Sequence, residues 1–307
     1  MNESGGFAVK LSFFFDQGSS KHREDGLICT AEIFGVLDGM STPYKTSEEP
    51  VMYGAMSSGE MVVRTVERII TDKISYQKEH RQPALERMIR AANTEIWRRQ
   101  KEKGIPVTPE TLAGTAFAMS RLVDNEIEIR QTGDCLAVIG LSDGHIITSP
   151  YQSRGHEIIG RHNSGELFSE IAGRLFQCDP DRVPASRRQQ LLDEFWEQYP
   201  AIRAAQRKAD LNNPASPNAF GSLNGQEELF ELIWRCNFSI TSVKWMLFFS
   251  DGMLSSEFLD NSDDQIGKTM ADRFFHGGWP AVWTEAKPKE KISHIMQPEA
   301  TGLSVEF

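Results

Sequence analysis

The chain has 307 residues, of which 39% are hydrophobic and 25% charged, and its formal net charge is −10. This length and composition are typical of a soluble globular protein with a large core, and they exclude a chain that is mostly disordered. The negative charge repels polyanions, so neither nucleic acid nor an anionic membrane is the expected partner.

The four cysteines, Cys29, Cys135, Cys178 and Cys236, lie far apart in the sequence. Their spacing contains no CxxC pair, which argues against a zinc ribbon and a dense disulfide framework and indicates reduced thiols. The chain shows neither a basic start followed by an apolar run nor a continuous apolar segment of about 20 residues, the length that a membrane-spanning helix needs. We therefore expect a cytoplasmic protein.

The first half of the chain alternates between strand and helix signals. β-branched and aromatic residues predict strands in FAVKLSFFF and LICTAEIFGVLDG. Apolar residues at helical spacing predict a helix from Ser57 to about Ser75 and a second helix opened by Pro83. Asp, Asn and Gly residues separate the strand-like runs TLAGTAFAMSRLV, EIEIRQ and CLAVIGL, so we expect hairpins between about 111 and 148.

The composition changes between about 153 and 243. RRQQLLDEFWEQYPAIRAAQRKA predicts a helix, NNPASPNAFGSLNG a loop and QEELFELI another helix. We interpret this region as an insertion, a lid or a small subdomain within one domain that spans residues 1–307. A strand in KWMLFFS, short helices near 253–259 and 266–275 and a final strand in TGLSVEF follow it.

This order of elements predicts an α+β fold. Two antiparallel sheets packed face to face, with helices outside them, bury both faces of each sheet. We therefore predict a four-layer α-β-β-α sandwich.

Three acidic segments lie where an apolar run meets a turn: Glu24-Asp25, Asp38-Gly39 and Asp251-Gly252. Hard divalent cations such as Mg2+ and Mn2+ prefer carboxylate, carbonyl and water oxygens. We interpret the three segments as one metal site. The alternative is that each Asp only accepts hydrogen bonds from amides of its own turn, a common use of Asp before Gly.

Four segments resemble, in order, the successive motifs of the metal-dependent serine/threonine protein phosphatases of type 2C, the PPM family: GVLDGMST, LAGTAFAMSRLVDNEIEIRQTGDCLAVIGLSDG, MLFFSDGM and EATGLSVEF. The resemblance spans nearly the whole chain, and the middle insertion is similar to that of a divergent bacterial branch. It implies the sandwich fold, hydrolysis of phosphoserine or phosphothreonine in proteins, and two bound Mn2+ or Mg2+ ions, with a third in some members.

The resemblance implies a role for each acidic residue that matches a family motif. Asp38 matches the carboxylate that bridges two metals, and Gly39 contributes its backbone carbonyl. Glu24 matches an acidic ligand of one metal, with Asp25 beside it, and Asp251 matches a ligand of the other.

Two further positions bear on the chemistry that the resemblance implies. Asp134 matches a residue that some members use to hold the third metal. Met40 stands where other members have a histidine proposed as general acid, so the proton for the leaving group must come from elsewhere. No nucleophilic side chain is required, because a water activated by the cations can attack phosphorus without a covalent enzyme intermediate.

The chain departs from the family at two places. Ser20 stands where a phosphate-binding Arg is expected, so Lys21 or Arg23 is the candidate for that contact. The last metal-binding Asp of the family corresponds to Pro298, which has no ligating side chain, and Glu299 is the candidate substitute one position along.

These departures leave two functions open, an active protein phosphatase or a type 2C-like fold that serves as a regulatory or binding module. Retention of the acidic cluster favours the enzyme, since an idle site has no physical reason to keep like charges together. Two other enzyme classes fit poorly, because GMSTP lacks the last glycine of the serine-hydrolase motif and GHEIIGRH does not satisfy HExxH. Substrate identity and oligomeric state do not follow from the sequence.

Overall fold

The computed structural model describes residues 9–42, 49–76, 84–287 and 298–307. In chain order its strands are β1 (Lys10–Asp16), β2 (Asp25–Cys29), β3 (Ile33–Met40), β4 (Met52–Tyr53), β5 (Met56–Ser57), β6 (Gly114–Val123), β7 (Glu126–Thr132), β8 (Leu136–Leu141), β9 (Ile146–Thr148), β10 (Trp234–Ser239), β11 (Val243–Phe249) and β12 (Ala300–Glu306). The α-helices are α1 (Ser58–Tyr76), α2 (Leu85–Glu102), α3 (Arg154–Phe176), α4 (Arg188–Asp210), α5 (Leu229–Leu232) and α6 (Asp263–Ala286).

The strands form two five-stranded antiparallel sheets and one small hairpin. Sheet I has the spatial order β10-β7-β6-β3-β2, and sheet II has the order β1-β12-β11-β8-β9. Strands β4 and β5 pair only with each other. Each sheet combines strands from distant parts of the chain, so the fold brings the ends of β3 and β11 into one region.

Alternating side chains on the strands divide the core into layers. In β3, Ile33 and Leu37 pack against α1 and α2, whereas Phe34 and Val36 pack against sheet II. Helix α6 covers the outer face of sheet II, where Trp279 and Val282 are buried. The predicted four-layer α+β sandwich is therefore confirmed.

The region between 153 and 243 is mainly a helical hairpin with a core of its own. Helices α3 and α4 pack against each other through apolar side chains that include Leu167, Ile171 and Phe195. The rings of Phe168 and Phe195 stack with centroids 4.0 Å apart. The chain then returns to sheet I through β10, which pairs with β7.

One local prediction was wrong. The helix expected in QEELFELI is only the single turn α5, and the next residues form β10, because pairing with the edge of sheet I overrides their weak local signal. The short helices expected near 253–259 are confirmed as the 3-10 helices Asp251–Met253 and Ser256–Asp260. The helix expected at 266–275 is confirmed as the first part of α6, and the non-helical Gly277 and Gly278 separate it from a second helical stretch that ends at Ala286.

The predicted helix from Ser57 and the hairpins between 111 and 148 are confirmed as α1 and as β6 to β9. Pro83, expected to open the second helix, lies outside the described residues. No helix in the parts of the chain that the structure describes has the length and apolar character needed to cross a membrane.

Candidate active site

Asp25 and Asp38 lie directly opposite each other in the antiparallel pairing of β2 with β3. Residues paired in this way project to the same face of a sheet. Val36, two residues before Asp38, packs between the sheets, whereas Leu37 packs against the helices. Both carboxyls therefore face the space between the two sheets.

Sheet II supplies the opposite side of this cluster. Ser250, which follows β11, donates a hydrogen bond from its hydroxyl to Oδ2 of Asp25 at 2.9 Å. Its amide donates to the carbonyl of Thr301 at 3.0 Å, which ties it to the start of β12. The next residue, Asp251, lies within hydrogen-bond reach of the Asp38 carboxyl. The structure therefore brings Asp38 and Asp251 together from opposite sheets.

The buried carboxyls repel one another strongly. Burial raises the pKa of Asp38 well above its ordinary value, and the charges of Asp25, Asp251 and Asp134 raise it further. Burial also raises the pKa of Asp25 to about 8, although hydrogen bonds from Thr301 and Ser250 oppose the shift. Such a cluster is costly in its ionised form unless a cation neutralises it.

Glu24, the residue before β2, lies beside this cluster, and its carboxylate contacts the start of α1. Its Oε1 accepts hydrogen bonds from the hydroxyls of Ser41 and Ser57, and its carbonyl accepts the amide of Gly39 at 3.0 Å. A Cβ on Gly39 would come within 2.4 Å of that carbonyl and 2.9 Å of Val63. Glycine is therefore required here for the close approach of the two chain segments.

Asp134 is held by a turn that the helical region braces. Gly133 before it has a φ of 71°, and a Cβ there would come within 2.9 Å of the Gly221 carbonyl. Oε1 of Gln152 accepts the Gly133 amide at 2.9 Å and the Gly221 amide at 3.3 Å. Gln152 therefore fastens the Asp134 turn to the loop after α4.

These groups surround a cavity of about 300 Å³. Predicted site residues among its lining are Glu24, Asp38, Gly39, Asp134 and Asp251. The region after β9 adds six residues that sequence reasoning missed as site residues: Ser153, His156, Glu157, Phe220, Gly221 and Ser222. The sequence drew attention to the GHE stretch only as an incomplete zinc motif, and nothing local indicated that it would face the aspartates.

The two candidate phosphate-binding cations are not at the cavity. Lys21 is exposed and pairs with Glu49 at 3.1 Å. The guanidinium of Arg23 lies over the ring of Phe15, 4.2 Å from its centroid. Among the described residues that line the cavity, none is Lys or Arg.

Glu299 binds backbone rather than the cavity. Its Oε2 accepts the amide of Glu24 at 2.9 Å and the amide of Asp25 at 2.6 Å. It does not appear among the described residues that line the cavity. Its carboxylate therefore holds the segment that carries the first acidic pair.

The donor set fits hard divalent cations by chemistry and charge, since carboxylate and carbonyl oxygens dominate it. Within the described ranges, no three His, Cys, Asp or Glu side chains already converge as a metal-binding group. Asp38 and Asp251 lie close enough to raise the pKa of Asp38, so a cation bound between them would relieve their repulsion. Asp25 and Asp134 lie close enough to affect the pKa of Asp38.

No protein-family model and no curated protein matches the sequence. Solved structures do match it over nearly its whole length. The serine/threonine phosphatase PstP/Ppp of Mycobacterium tuberculosis is 14% identical with a TM-score of 0.51, and the match covers 97% of this chain and 98% of that one. The catalytic domain of PstP in complex with two manganese ions is also 14% identical with a TM-score of 0.51, and the match covers 97% of this chain and 96% of that one.

A third similar structure is the PPM Ser-Thr phosphatase MsPP from Mycobacterium smegmatis in complex with cacodylate. It is 13% identical with a TM-score of 0.50, covering 97% of this chain and 98% of that one. The chain therefore has the fold of the PPM-type serine/threonine phosphatases, as its motifs predicted. Likeness at this identity concerns the fold alone.

Proposed function

We propose that this protein is a metal-dependent phosphatase that hydrolyses phosphoserine and phosphothreonine in proteins. The observation that carries the proposal is the meeting of Asp38 and Asp251 from opposite sheets in a buried acidic cluster, at a cavity large enough for a phosphorylated side chain. The fold supports it, since similar structures are phosphatases, one of them with two manganese ions.

In this proposal the carboxylates of Asp38 and Asp251 and the Gly39 carbonyl would hold Mn2+ or Mg2+, with Glu24 and Asp25 as further candidate ligands. Asp134 is the ligand proposed for a third, more weakly held ion. Bound cations of this kind neutralise phosphoryl oxygens and lower the pKa of water, which supplies a nucleophile at neutral pH.

The side chains near the cavity support a nucleophile that is not a protein group. Ser41 donates its hydroxyl to Glu24, so its oxygen is engaged in holding a carboxylate. Burial and the neighbouring aspartates raise the pKa of the Cys135 thiol well above its ordinary value, which keeps it protonated and unreactive. Both facts argue against Ser41 and Cys135 as the nucleophile of a covalent phosphoenzyme.

The helical region shapes access to the cavity, because α3 and the loop after α4 supply one wall of it. We infer that the substrate is a phosphorylated segment of a cytoplasmic protein whose side chain enters between this wall and the aspartates. Whether Lys21 or Arg23 contacts that substrate stays a prediction.

A second candidate function is a binding module without catalysis. Pro298 in place of a ligating residue and the commitment of Glu299 to backbone amides favour it. Both would leave a cation with fewer protein ligands than the family pattern implies.

One experiment separates the two functions. Phosphate release from a phosphothreonine peptide is measured with Mn2+, with and without chelator, for the native chain, Asp38→Asn and Asp251→Asn. Asp143→Asn is the matched control, because Asp143 is an exposed Asp before Gly in a hairpin.

We expect turnover that requires Mn2+, a loss of at least about 100-fold in the two site variants, and native rates in the control. If the native protein binds a partner but releases no phosphate with Mn2+, the enzyme proposal fails and the binding module stands.

A further inference from the structure

His156 is the one imidazole among the described residues that line the cavity, and α3 brings it there. Its Nδ1 lies 2.9 Å from Oδ2 of Asp210 at the end of α4. Its ring also packs on Phe220, with centroids 4.7 Å apart. The residue is 2% exposed, so its orientation is fixed by these two contacts.

Only Nε2 of this ring is available to a ligand. An ionised Asp210 accepts a hydrogen bond, so Nδ1 carries the proton that it donates. Nε2 is the ring nitrogen that the contact with Asp210 does not use. His156 lines the same cavity as Asp38 and Asp251, so a ligand bound in the cavity lies beside this ring.

The charged groups around His156 set its protonation. Burial lowers its pKa to about 4, and Arg203 on α4 lowers it further, whereas Asp210 and Glu157 act in the opposite direction. Arg203 is itself paired with Glu157 at 3.0 Å. The free protein therefore presents a neutral imidazole whose Nε2 can accept a proton.

The proposed reaction needs a group with this property. The oxygen that leaves from phosphoserine or phosphothreonine is a strongly basic alkoxide, so its departure is accelerated by a proton donor. Met40 provides none. Among the described residues that line the cavity, the other titratable side chains are carboxylic acids, namely Glu24, Asp38, Asp134, Glu157 and Asp251.

We propose that His156, oriented by Asp210, is the general acid that protonates the leaving oxygen. This inference rests on the proposed phosphatase function and adds a catalytic residue to it. Because α3 carries His156, the helical region takes part in the chemistry as well as in access.

The proton comes with the substrate. A phosphate monoester loses its second proton at a pKa of about 6, so part of it arrives as the monoanion. The negative charge of the entering phosphoryl group raises the pKa of the neighbouring imidazole, so Nε2 accepts that proton on binding. This leaves a phosphate dianion next to an imidazolium that Asp210 also stabilises. As water attacks phosphorus and the P–O bond to the side chain breaks, Nε2 returns the proton to the leaving oxygen.

The test compares two leaving groups with the native chain, His156→Ala and His156→Asn, all with Mn2+. A phosphothreonine peptide needs a proton at the leaving oxygen, whereas p-nitrophenyl phosphate releases a phenolate that is stable as an anion. We expect both variants to lose about 100-fold in kcat on the peptide and less than about threefold on p-nitrophenyl phosphate. An equal loss on both substrates, or no loss on either, overturns the proposal.

Three controls make the result specific. His156→Asn can still donate a hydrogen bond to Asp210, so it separates loss of the proton donor from loss of structure. His162→Ala, on the exposed face of α3 where His162 pairs with Glu166 at 3.1 Å, should leave both rates unchanged. The peptide rate of the native chain should fall as the pH rises above about 6, and this dependence should disappear in both His156 variants.

The outcomes also separate this inference from the proposed function. Metal-dependent hydrolysis of both substrates by the native chain, with equal losses in the variants, keeps the phosphatase and removes His156 from the chemistry. If the native chain hydrolyses neither substrate, the phosphatase proposal fails and the general-acid role fails with it.

Discussion

Glu299 and Asp25 are joined by a 2.6 Å hydrogen bond in which the amide of Asp25 donates to the carboxylate of Glu299. The same Oε2 accepts the amide of Glu24 at 2.9 Å. One carboxylate oxygen thus fixes the backbone of the acidic pair, and a Cβ on Gly252 would come within 1.7 Å of the Glu299 carbonyl. The Glu24-Asp25 segment and the Asp251-Gly252 turn are therefore both packed against residue 299.

This relationship predicts that Glu299 acts by holding backbone, and a pair of variants tests it. Glu299→Gln keeps an oxygen that can accept both amides, so we expect Mn2+ affinity within about threefold of native by calorimetry. Glu299→Ala leaves both amides without their acceptor and should weaken Mn2+ binding about tenfold or more. Equal weakening in both variants would instead make Glu299 a direct ligand, as the sequence alone suggested.

The raised pKa of Asp25 predicts how stability depends on pH when a chelator is present. Its pKa is about 8 in the folded protein and about 3.9 in an unfolded chain, so the folded state holds the proton to higher pH. The stability that this proton contributes is complete below about pH 4 and is lost as the pH rises towards 8.

Asn at position 25 is neutral at every pH, so it removes this loss of stability. We expect Asp25→Asn to have the native free energy of unfolding near pH 4. As the pH rises from there towards 8, the variant should become more stable than the native protein by up to about 1.4 kcal/mol per pH unit. Urea unfolding at several pH values measures the difference. Parallel curves for the two proteins would show that Asp25 ionises normally.

Gly133 should be sensitive to substitution for two separate reasons. Its φ is 71°, and a Cβ would meet Ala116 at 2.6 Å and the Gly221 carbonyl at 2.9 Å. We expect Gly133→Ala to lose about 2–4 kcal/mol of stability in urea unfolding, from strain and overlap together. Gly144→Ala is the matched control, because Gly144 has a φ of 90° and open space around it, and it should lose only about 1 kcal/mol.

Gln152 should contribute to both stability and catalysis through the Asp134 turn. Gln152→Leu leaves the amides of Gly133 and Gly221 without an acceptor, which should cost about 1–3 kcal/mol of stability. We also expect a lower kcat and a higher Mn2+ requirement, because Asp134 is no longer held in place. Gln189→Leu, on the exposed surface of α4, should change neither quantity, and unchanged activity in Gln152→Leu would remove the positioning role.

Local sequence patterns predicted the parts of this structure that depend on local physics. The apolar run before Asp38 and the Gly after it indicate a buried strand ending in a turn, and this is what β3 forms. The motif order then indicated that Asp38 and Asp251 share a site. The strand β10 was missed because its existence depends on pairing with β7, about 100 residues earlier in the chain, and not on its own composition.

The sequence by itself determined the layered fold and the acidic segments, because strand alternation, helical periodicity and turn residues act over a few neighbouring positions. Only the tertiary structure decided that Ser250 contacts Asp25, 225 residues away, and that His156 and Asp210 meet at the cavity wall. It also decided that Glu299 binds amides and that Lys21 and Arg23 lie away from the cavity. The physical reason is that pKa values, hydrogen bonds and cation binding depend on distance and burial in three dimensions, which a residue's neighbours in the chain do not fix.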